Sequence, residues 1–133
     1  LRGWKVFKGE PSYGKGRFDL LLKQENQFYL VEAKSVTLVE RGTALFPDAP
    51  TLRGKRHMEE LAKAYREGYR AAVIFVVQRE DAFSFRPNDE MDPAFGKALR
   101  QAVSQGVKVQ AFSCQVSPHG VMLLNALPVF FDV

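Results

Sequence analysis

Three residues in the first third of the chain have the types and spacing that metal-dependent chemistry needs: Asp19, Glu32 and Lys34. They lie in apolar runs rich in aromatic and branched residues, which predict strands, where a charged side chain is costly unless something compensates it. Because side chains alternate along a strand, Glu32 and Lys34 point to the same face. Two carboxylates can hold a hard cation such as Mg²⁺, and an ammonium group can act on the water bound to it. The set is suited to phosphodiester hydrolysis.

A structural interpretation of the same residues is an ion pair between Glu32 and Lys34, with Asp19 paired to another cation. Short motifs of this kind have many false positives. Three features favour a site. A hairpin would bring Asp19 close to Glu32, Glu10 stands just before that hairpin as a third carboxylate, and the apolar flanks place the charges within the sheet, where unpaired charge is expensive. On the pattern alone, both interpretations stay open.

The elements that must position these residues start with a short strand at residues 4–7 and a hairpin of strands at 17–23 and 28–35. Residues 36–50 show no clean period and contain several turn residues, so we expect a long loop, of the kind that is often functional. Further elements are a helix at 52–66 capped by Thr51, a strand at 70–77 covered on both faces, a helix at 93–105 capped by Asp92, and strands at 107–116 and 121–124. This order predicts an α/β fold, a mixed sheet flanked by helices.

Composition limits the kind of protein. The chain has 133 residues, of which 46% are hydrophobic and 26% charged, which predicts one domain over residues 1–133. No apolar run approaches the roughly 20 residues of a membrane span, no signal peptide opens the chain, and Cys114 is the only cysteine. We therefore expect a cytoplasmic protein without membrane contact. The chain begins at Leu1 rather than at Met, so we expect that an upstream part has been removed.

A basic cluster opens the helix that follows the long loop. It consists of Arg53, Lys55, Arg56 and His57. Arg53 and His57 are four residues apart and should share one edge of the helix, whose N-terminus already favours anions. The net charge of +4 is compatible with nucleic acid but also with an ordinary solvated surface. We assign these four residues, with Arg17, as candidate DNA contacts, and we expect little sequence preference because no recognition helix is evident.

The residues also carry a resemblance to known families. Asp19 followed by Glu32-Ala33-Lys34 resembles the D…(D/E)-x-K signature of the PD-(D/E)XK nuclease superfamily. The runs that narrow this to the sugar fermentation stimulation protein A (SfsA) family are residues 34–40, 44–51, 53–57, 76–79 and 87–93. The run at 44–51, Ala-Leu-Phe-Pro-Asp-Ala-Pro-Thr, is the most specific of them.

The resemblance implies a restriction-endonuclease-like domain that follows an N-terminal OB-like domain absent from this chain. It also implies that Asp19 and Glu32 hold Mg²⁺ or Mn²⁺, that Lys34 orients or deprotonates the attacking water, and that Glu10 is a further acidic ligand. We add the Ala33 carbonyl as a candidate ligand, because backbone between two site residues is well placed to reach the ion. The family is associated with non-specific DNA binding and with regulation of sugar metabolism, especially of maltose.

Two function classes follow, a metal-dependent DNA phosphodiesterase and a non-catalytic, non-specific DNA-binding regulator of sugar metabolism. The intact Asp19, Glu32 and Lys34 favour the enzyme, because a protein that only binds DNA has no need of buried carboxylates that face a polyanion. The family's description favours the regulator. A third class, a module that binds small molecules or proteins, would be favoured if the basic residues proved to be scattered.

Overall fold

The computed structural model describes residues 19–131, apart from the side chain of Val121, and the backbone alone of residues 5–9, 12–13 and 16–17. The first five strands are β1 (Lys5–Gly9), β2 (Ser12–Tyr13), β3 (Gly16–Arg17), β4 (Leu20–Gln24) and β5 (Gln27–Val36). The strand predicted at 17–23 is therefore two strands, with Asp19 in a bend just before β4. Glu10 and the side chain of Arg17 lie outside the described residues.

The remaining elements are β6 (Leu38–Glu40), β7 (Thr43–Phe46), α1 (Leu52–Arg66), β8 (Arg70–Val77), β9 (Ser84–Pro87), α2 (Pro93–Gln105), β10 (Lys108–Ser117) and β11 (Gly120–Leu127). Both helices and β8 have the predicted bounds. The prediction of a long loop at 36–50 is wrong, because this segment contains the β6–β7 hairpin, and β7 also pairs with β9. In the described part of the chain, no helix is long and apolar enough to cross a membrane.

A six-stranded sheet in the order β1-β4-β5-β8-β10-β11 forms the centre of the fold. The central strands β5, β8 and β10 run parallel, whereas the β4–β5 and β10–β11 pairs are antiparallel, so the predicted mixed sheet is confirmed. The segment from β6 through α1 connects the neighbouring parallel strands β5 and β8. Glu32 pairs with Val73 and Lys34 with Phe75, which places both charged residues inside the sheet.

The two helices cover one face of this sheet. Side chains of alternate β8 residues, such as Val73 and Phe75, pack in one buried cluster with Leu61 of α1 and with Phe95 and Leu99 of α2. The opposite face has a smaller buried cluster, consisting of Leu22, Tyr29, Val31 and Ala72. The expectation that β8 is covered on both faces is therefore met only in part, since Ile74 and Val76 are half-buried. Glu32 and Lys34 point to the face covered by the helices.

One side chain joins the N-termini of the two helices. Asp92 caps α2 by accepting a hydrogen bond from the Phe95 N–H at 3.0 Å, and its other oxygen accepts the Thr51 N–H at 2.8 Å. Thr51 in turn caps α1, since its hydroxyl oxygen accepts the Gly54 N–H at 2.9 Å. The start of α1 is thus fixed to the start of α2 as well as to the sheet.

Replacing Asp92 tests this junction. Asp92→Ala should lower the free energy of unfolding by about 2 kcal/mol, because it removes an N-cap and leaves the Thr51 N–H without its acceptor. Denaturant unfolding of wild type and variant measures the loss. Asp48→Ala, at an exposed position, is the matched control and should change stability little. An Asp92→Ala variant as stable as the control would show that the junction contributes nothing.

Candidate active site

The β4–β5 hairpin brings Asp19 beside Glu32. Leu20 pairs with Val31, so the residue before β4 lies opposite the middle of β5. The Asp19 carboxylate accepts the Ala33 N–H at 2.7 Å, which fixes it against the strand that carries Glu32 and Lys34. Since the N–H and C=O of a strand residue point to the same side, the Ala33 carbonyl faces the same edge. Two carboxylates and one backbone carbonyl therefore share this point of the sheet.

The two carboxyl groups have opposite pKa shifts. Burial raises the pKa of Asp19, the Ala33 N–H works against this, and the neighbouring Glu32 raises it further through its charge and a hydrogen bond. Burial acts in the same direction on Glu32, but the hydrogen bond from His57 and the charge of Lys34 outweigh it and lower the pKa of Glu32. Glu32 is thus held ionised, while ionisation of Asp19 beside it is disfavoured. A cation between the carboxylates would relieve this repulsion.

Lys34 and His57 converge on one oxygen of Glu32. The Oε2 atom lies 3.1 Å from Lys34 Nζ and 2.5 Å from His57 Nδ1, and the two nitrogens are 2.8 Å apart. The ring of His57 is buried, with 1% of the residue exposed. His57 therefore does not lie with Arg53 on an exposed basic edge as expected, but beneath the helix against β5. A sequence signal was present, since His57 lies four residues before the buried Leu61 and next to the buried Met58.

The other predicted DNA contacts separate into two groups. Arg53 and Arg56 are exposed on the first turns of α1. Lys55 is half-buried in the groove between the helices, which Glu59 and Lys97 also line. The predicted basic cluster is therefore two exposed arginines, a lysine directed towards α2 and a buried histidine.

The chemistry of the donors fits a hard divalent cation. Within the described residues, no group of three or more His, Cys, Asp or Glu side chains is arranged to hold a metal ion. Mg²⁺, however, is commonly bound by one or two carboxylates, with waters and substrate phosphates completing its shell. Asp19 and Glu32 supply two such carboxylates within hydrogen-bond reach of each other, and the Ala33 carbonyl adds an oxygen. Glu10, the third carboxylate expected from the sequence, is outside the described residues.

The fold belongs to the restriction-endonuclease-like class, with a mixed sheet, Glu-x-Lys on a central strand and an Asp at the start of the preceding one. The chain belongs to the sugar fermentation stimulation protein family, since residues 1–120 match the model described as the sugar fermentation stimulation protein RE domain. The family assignment made from the sequence is thereby confirmed.

Individual relatives agree with this assignment. A sugar fermentation stimulation protein homolog from Natranaerobius thermophilus is 55% identical over 128 residues, which are 96% of this chain and 53% of that protein. One from Pyrobaculum islandicum is 52% identical over 130 residues, 97% of this chain and 56% of that protein. The solved structure of Pyrococcus furiosus SfsA in complex with Ca²⁺ matches with a TM-score of 0.90 and 33% identity, over 98% of this chain and 57% of that chain. The chain thus spans about half the length of these relatives.

The raised pKa of Asp19 predicts a pH-dependent gain in stability when the charge is removed. An ionised group with a raised pKa costs folding stability above that pKa and nothing well below it, where it is protonated in both states. In EDTA, Asp19→Asn should therefore melt at a slightly higher Tm than wild type at neutral pH. This advantage should disappear as the pH falls through the pKa of Asp19.

Thermal melts from acidic to neutral pH measure this difference. Asp48→Asn, which removes an exposed carboxylate on the loop before α1, is the control and should show no such trend. A less stable Asp19→Asn variant at neutral pH, or a difference independent of pH, would contradict the account.

Proposed function

We propose that this protein is a DNA-binding phosphodiesterase that depends on Mg²⁺ or Mn²⁺, with Asp19, Glu32 and Lys34 as its catalytic residues. The observation that carries the proposal is the convergence of two carboxylates and an ammonium group at one point of the sheet, where Glu32 is buried and Asp19 is exposed. Burying charges is costly, and a structural ion pair needs only one carboxylate. Ionisation of Asp19 is disfavoured beside Glu32. A cation bound by both carboxylates would explain why the two groups lie together.

Each residue has a distinct role in this proposal. Glu32, kept ionised by its neighbours, and Asp19, aimed by the Ala33 N–H, hold the ion. A divalent cation bound there would polarise a phosphate oxygen and acidify a water molecule. Lys34 Nζ, anchored 3.1 Å from Glu32, is placed to orient the attacking water or to accept its proton. Glu10 remains a proposed further ligand on the basis of the sequence.

A relative supports the metal part of the proposal. Pyrococcus furiosus SfsA was solved in complex with Ca²⁺, and it shares the fold of this chain with a TM-score of 0.90. Ca²⁺ and Mg²⁺ both take oxygen ligands, although Ca²⁺ accepts more of them in a looser geometry. A site built from carboxylate and carbonyl oxygens suits this class of ion.

DNA would approach from the start of α1. Arg53 and Arg56 are exposed on the first turns of the helix whose second turn carries His57, which contacts Glu32. The guanidinium group of arginine can donate two parallel hydrogen bonds to a phosphate group. Such contacts position a DNA duplex but do not depend on its base sequence. Arg17 remains in the proposal from the sequence alone. We no longer propose His57 as a phosphate contact, because its ring is buried.

Cleavage assays test the enzyme directly. The chain should cut plasmid, single-stranded or branched DNA with Mg²⁺ or Mn²⁺ and leave all three intact in EDTA. Glu32→Gln should abolish most activity by weakening metal binding. Lys34→Met should lower the rate about 100-fold or more while metal binding persists.

Glu59→Gln, which removes an exposed carboxylate from the other side of α1, is the control and should cut at the wild-type rate. Activity that survives EDTA, or an equally active Glu32→Gln variant, would defeat the proposed reaction.

The alternative is a non-catalytic, non-specific DNA-binding regulator of sugar metabolism that keeps the nuclease fold. The names of the relatives favour it, since they refer to stimulation of sugar fermentation and to no hydrolysis. On this alternative the carboxylates are a relic, and DNA affinity without cleavage is the expected outcome.

The salt dependence of DNA affinity tests the proposed DNA-binding surface of the protein, whether it is an enzyme or a regulator. Affinity should fall with salt at a log–log slope of about −0.9 per phosphate contact, so Arg53→Ala/Arg56→Ala should weaken binding and reduce the slope by about 2. Lys63→Ala/Lys97→Ala, an equal loss of charge at exposed positions elsewhere on the two helices, is the control. If the control pair weakens binding as much as the arginine pair, DNA does not approach along the start of α1.

A further inference from the structure

The proposed reaction assigns roles to Asp19, Glu32 and Lys34 and none to the buried imidazole of His57. It is fully enclosed on α1 among apolar side chains, with Met58 and Leu61 buried on the same stripe. A leucine would fill such a position without a polar group to satisfy, whereas a histidine there needs hydrogen-bond partners. The Nδ1 atom lies within hydrogen-bond distance of two residues of the candidate site, Glu32 and Lys34, and as N–H it donates to the Glu32 carboxylate.

The contact joins two different elements. Glu32 and Lys34 are neighbours on β5, and their pairing alone would leave both long side chains several rotamers. His57 Nδ1 donates to Glu32 Oε2 at 2.5 Å, and the same oxygen lies 3.1 Å from Lys34 Nζ. α1 therefore holds Glu32 directly from above the sheet, and Lys34 through the shared carboxylate oxygen. The start of α1 is itself fixed through Thr51 and Asp92.

The geometry also decides which oxygen of Glu32 is available. Oε2 is engaged by both His57 and Lys34. We therefore expect Oε1 to be the oxygen that binds a cation shared with Asp19. A carboxylate fixed in this way binds one oxygen to the ion instead of rotating between ligand and ion-pair positions. Groups that orient a metal ligand in this manner commonly contribute 10–100-fold to metal affinity or activity.

We propose that His57 is a positioning residue, which fixes the Glu32 carboxylate for the cation and, through that carboxylate, the Lys34 ammonium group for the water. The catalytic part of this inference rests on the proposed function, whereas metal affinity gives it a readout that needs no turnover.

Two substitutions at His57 separate positioning from simple packing. The amide group of asparagine reaches the place of the imidazole Nδ1, so His57→Asn keeps a polar atom against Glu32, whereas His57→Leu fills the space without one. Mn²⁺ titration, followed by electron paramagnetic resonance of the free ion, should show affinity at least about tenfold weaker in His57→Leu. His57→Asn should stay within about threefold of wild type.

Met58→Ala is the packing control. Met58 is fully buried next to His57 but packs into the hydrophobic core, so its truncation should lower Tm while Mn²⁺ affinity remains at the wild-type value. Melting each variant in EDTA verifies that it is folded. If His57→Leu fails to fold, comparison of His57→Asn with His57→Gln decides the question, because the glutamine amide reaches the Nε2 position instead and should bind Mn²⁺ more weakly than asparagine.

The outcomes separate this inference from the proposed function. Weaker Mn²⁺ binding by His57→Leu in a protein that never cuts DNA would support the positioning role and defeat the reaction. Metal-dependent cleavage together with unchanged Mn²⁺ affinity in His57→Leu would support the reaction and overturn the inference. The inference is also overturned if Met58→Ala weakens Mn²⁺ binding as much as His57→Leu does, or if the wild type binds no Mn²⁺.

Discussion

A carboxylate buried in the middle of a sheet needs compensation from more than one direction. Glu32 has 4% of its surface exposed and is nevertheless held ionised, because Lys34 approaches along the same strand and His57 approaches from α1. The second acid, Asp19, reaches the same point from the neighbouring strand and is fixed by the Ala33 N–H. Compensating the charge of Glu32 therefore requires β5 and α1 to meet, and the β4–β5 hairpin adds Asp19 at the same place. Together these contacts create the candidate site.

The segments that hold α1 in place coincide with two of the runs that carry the family resemblance. In the run at 44–51, the carbonyls of Phe46 and Pro47 accept hydrogen bonds from Asn88 at 2.7 and 2.9 Å, and Thr51 caps α1. In the run at 87–93, Asp92 caps α2 and binds the Thr51 N–H. None of these hydrogen bonds involves Asp19 or Glu32. Their physical role is to set the position of α1, and with it the position of His57 above Glu32.

Much of this arrangement could be predicted from the sequence, for identifiable reasons. Thr51 and Asp92 are cap residues with a local signal, and the apolar run of β8 leaves few alternatives, so these bounds agree with the structure. Strands β6, β7 and β9 have only three or four residues each, and they form by pairing with one another. Such short strands show no recognisable alternation of apolar and polar residues in the sequence. The burial of His57 was missed because its basic neighbours suggested a solvated surface. Only the sheet that packs beneath it gives a buried histidine its partners.

Diffraction from Mn²⁺-soaked crystals can decide whether Asp19 and Glu32 form one cation site. Data collected near the manganese absorption edge locate the ion independently of any activity. We expect an anomalous peak between the carboxylates of Asp19 and Glu32, at oxygen distances typical of a hard divalent cation, and loss of this peak in Glu32→Gln crystals. Anomalous density at another place only, or a peak that persists unchanged in Glu32→Gln, would contradict the account.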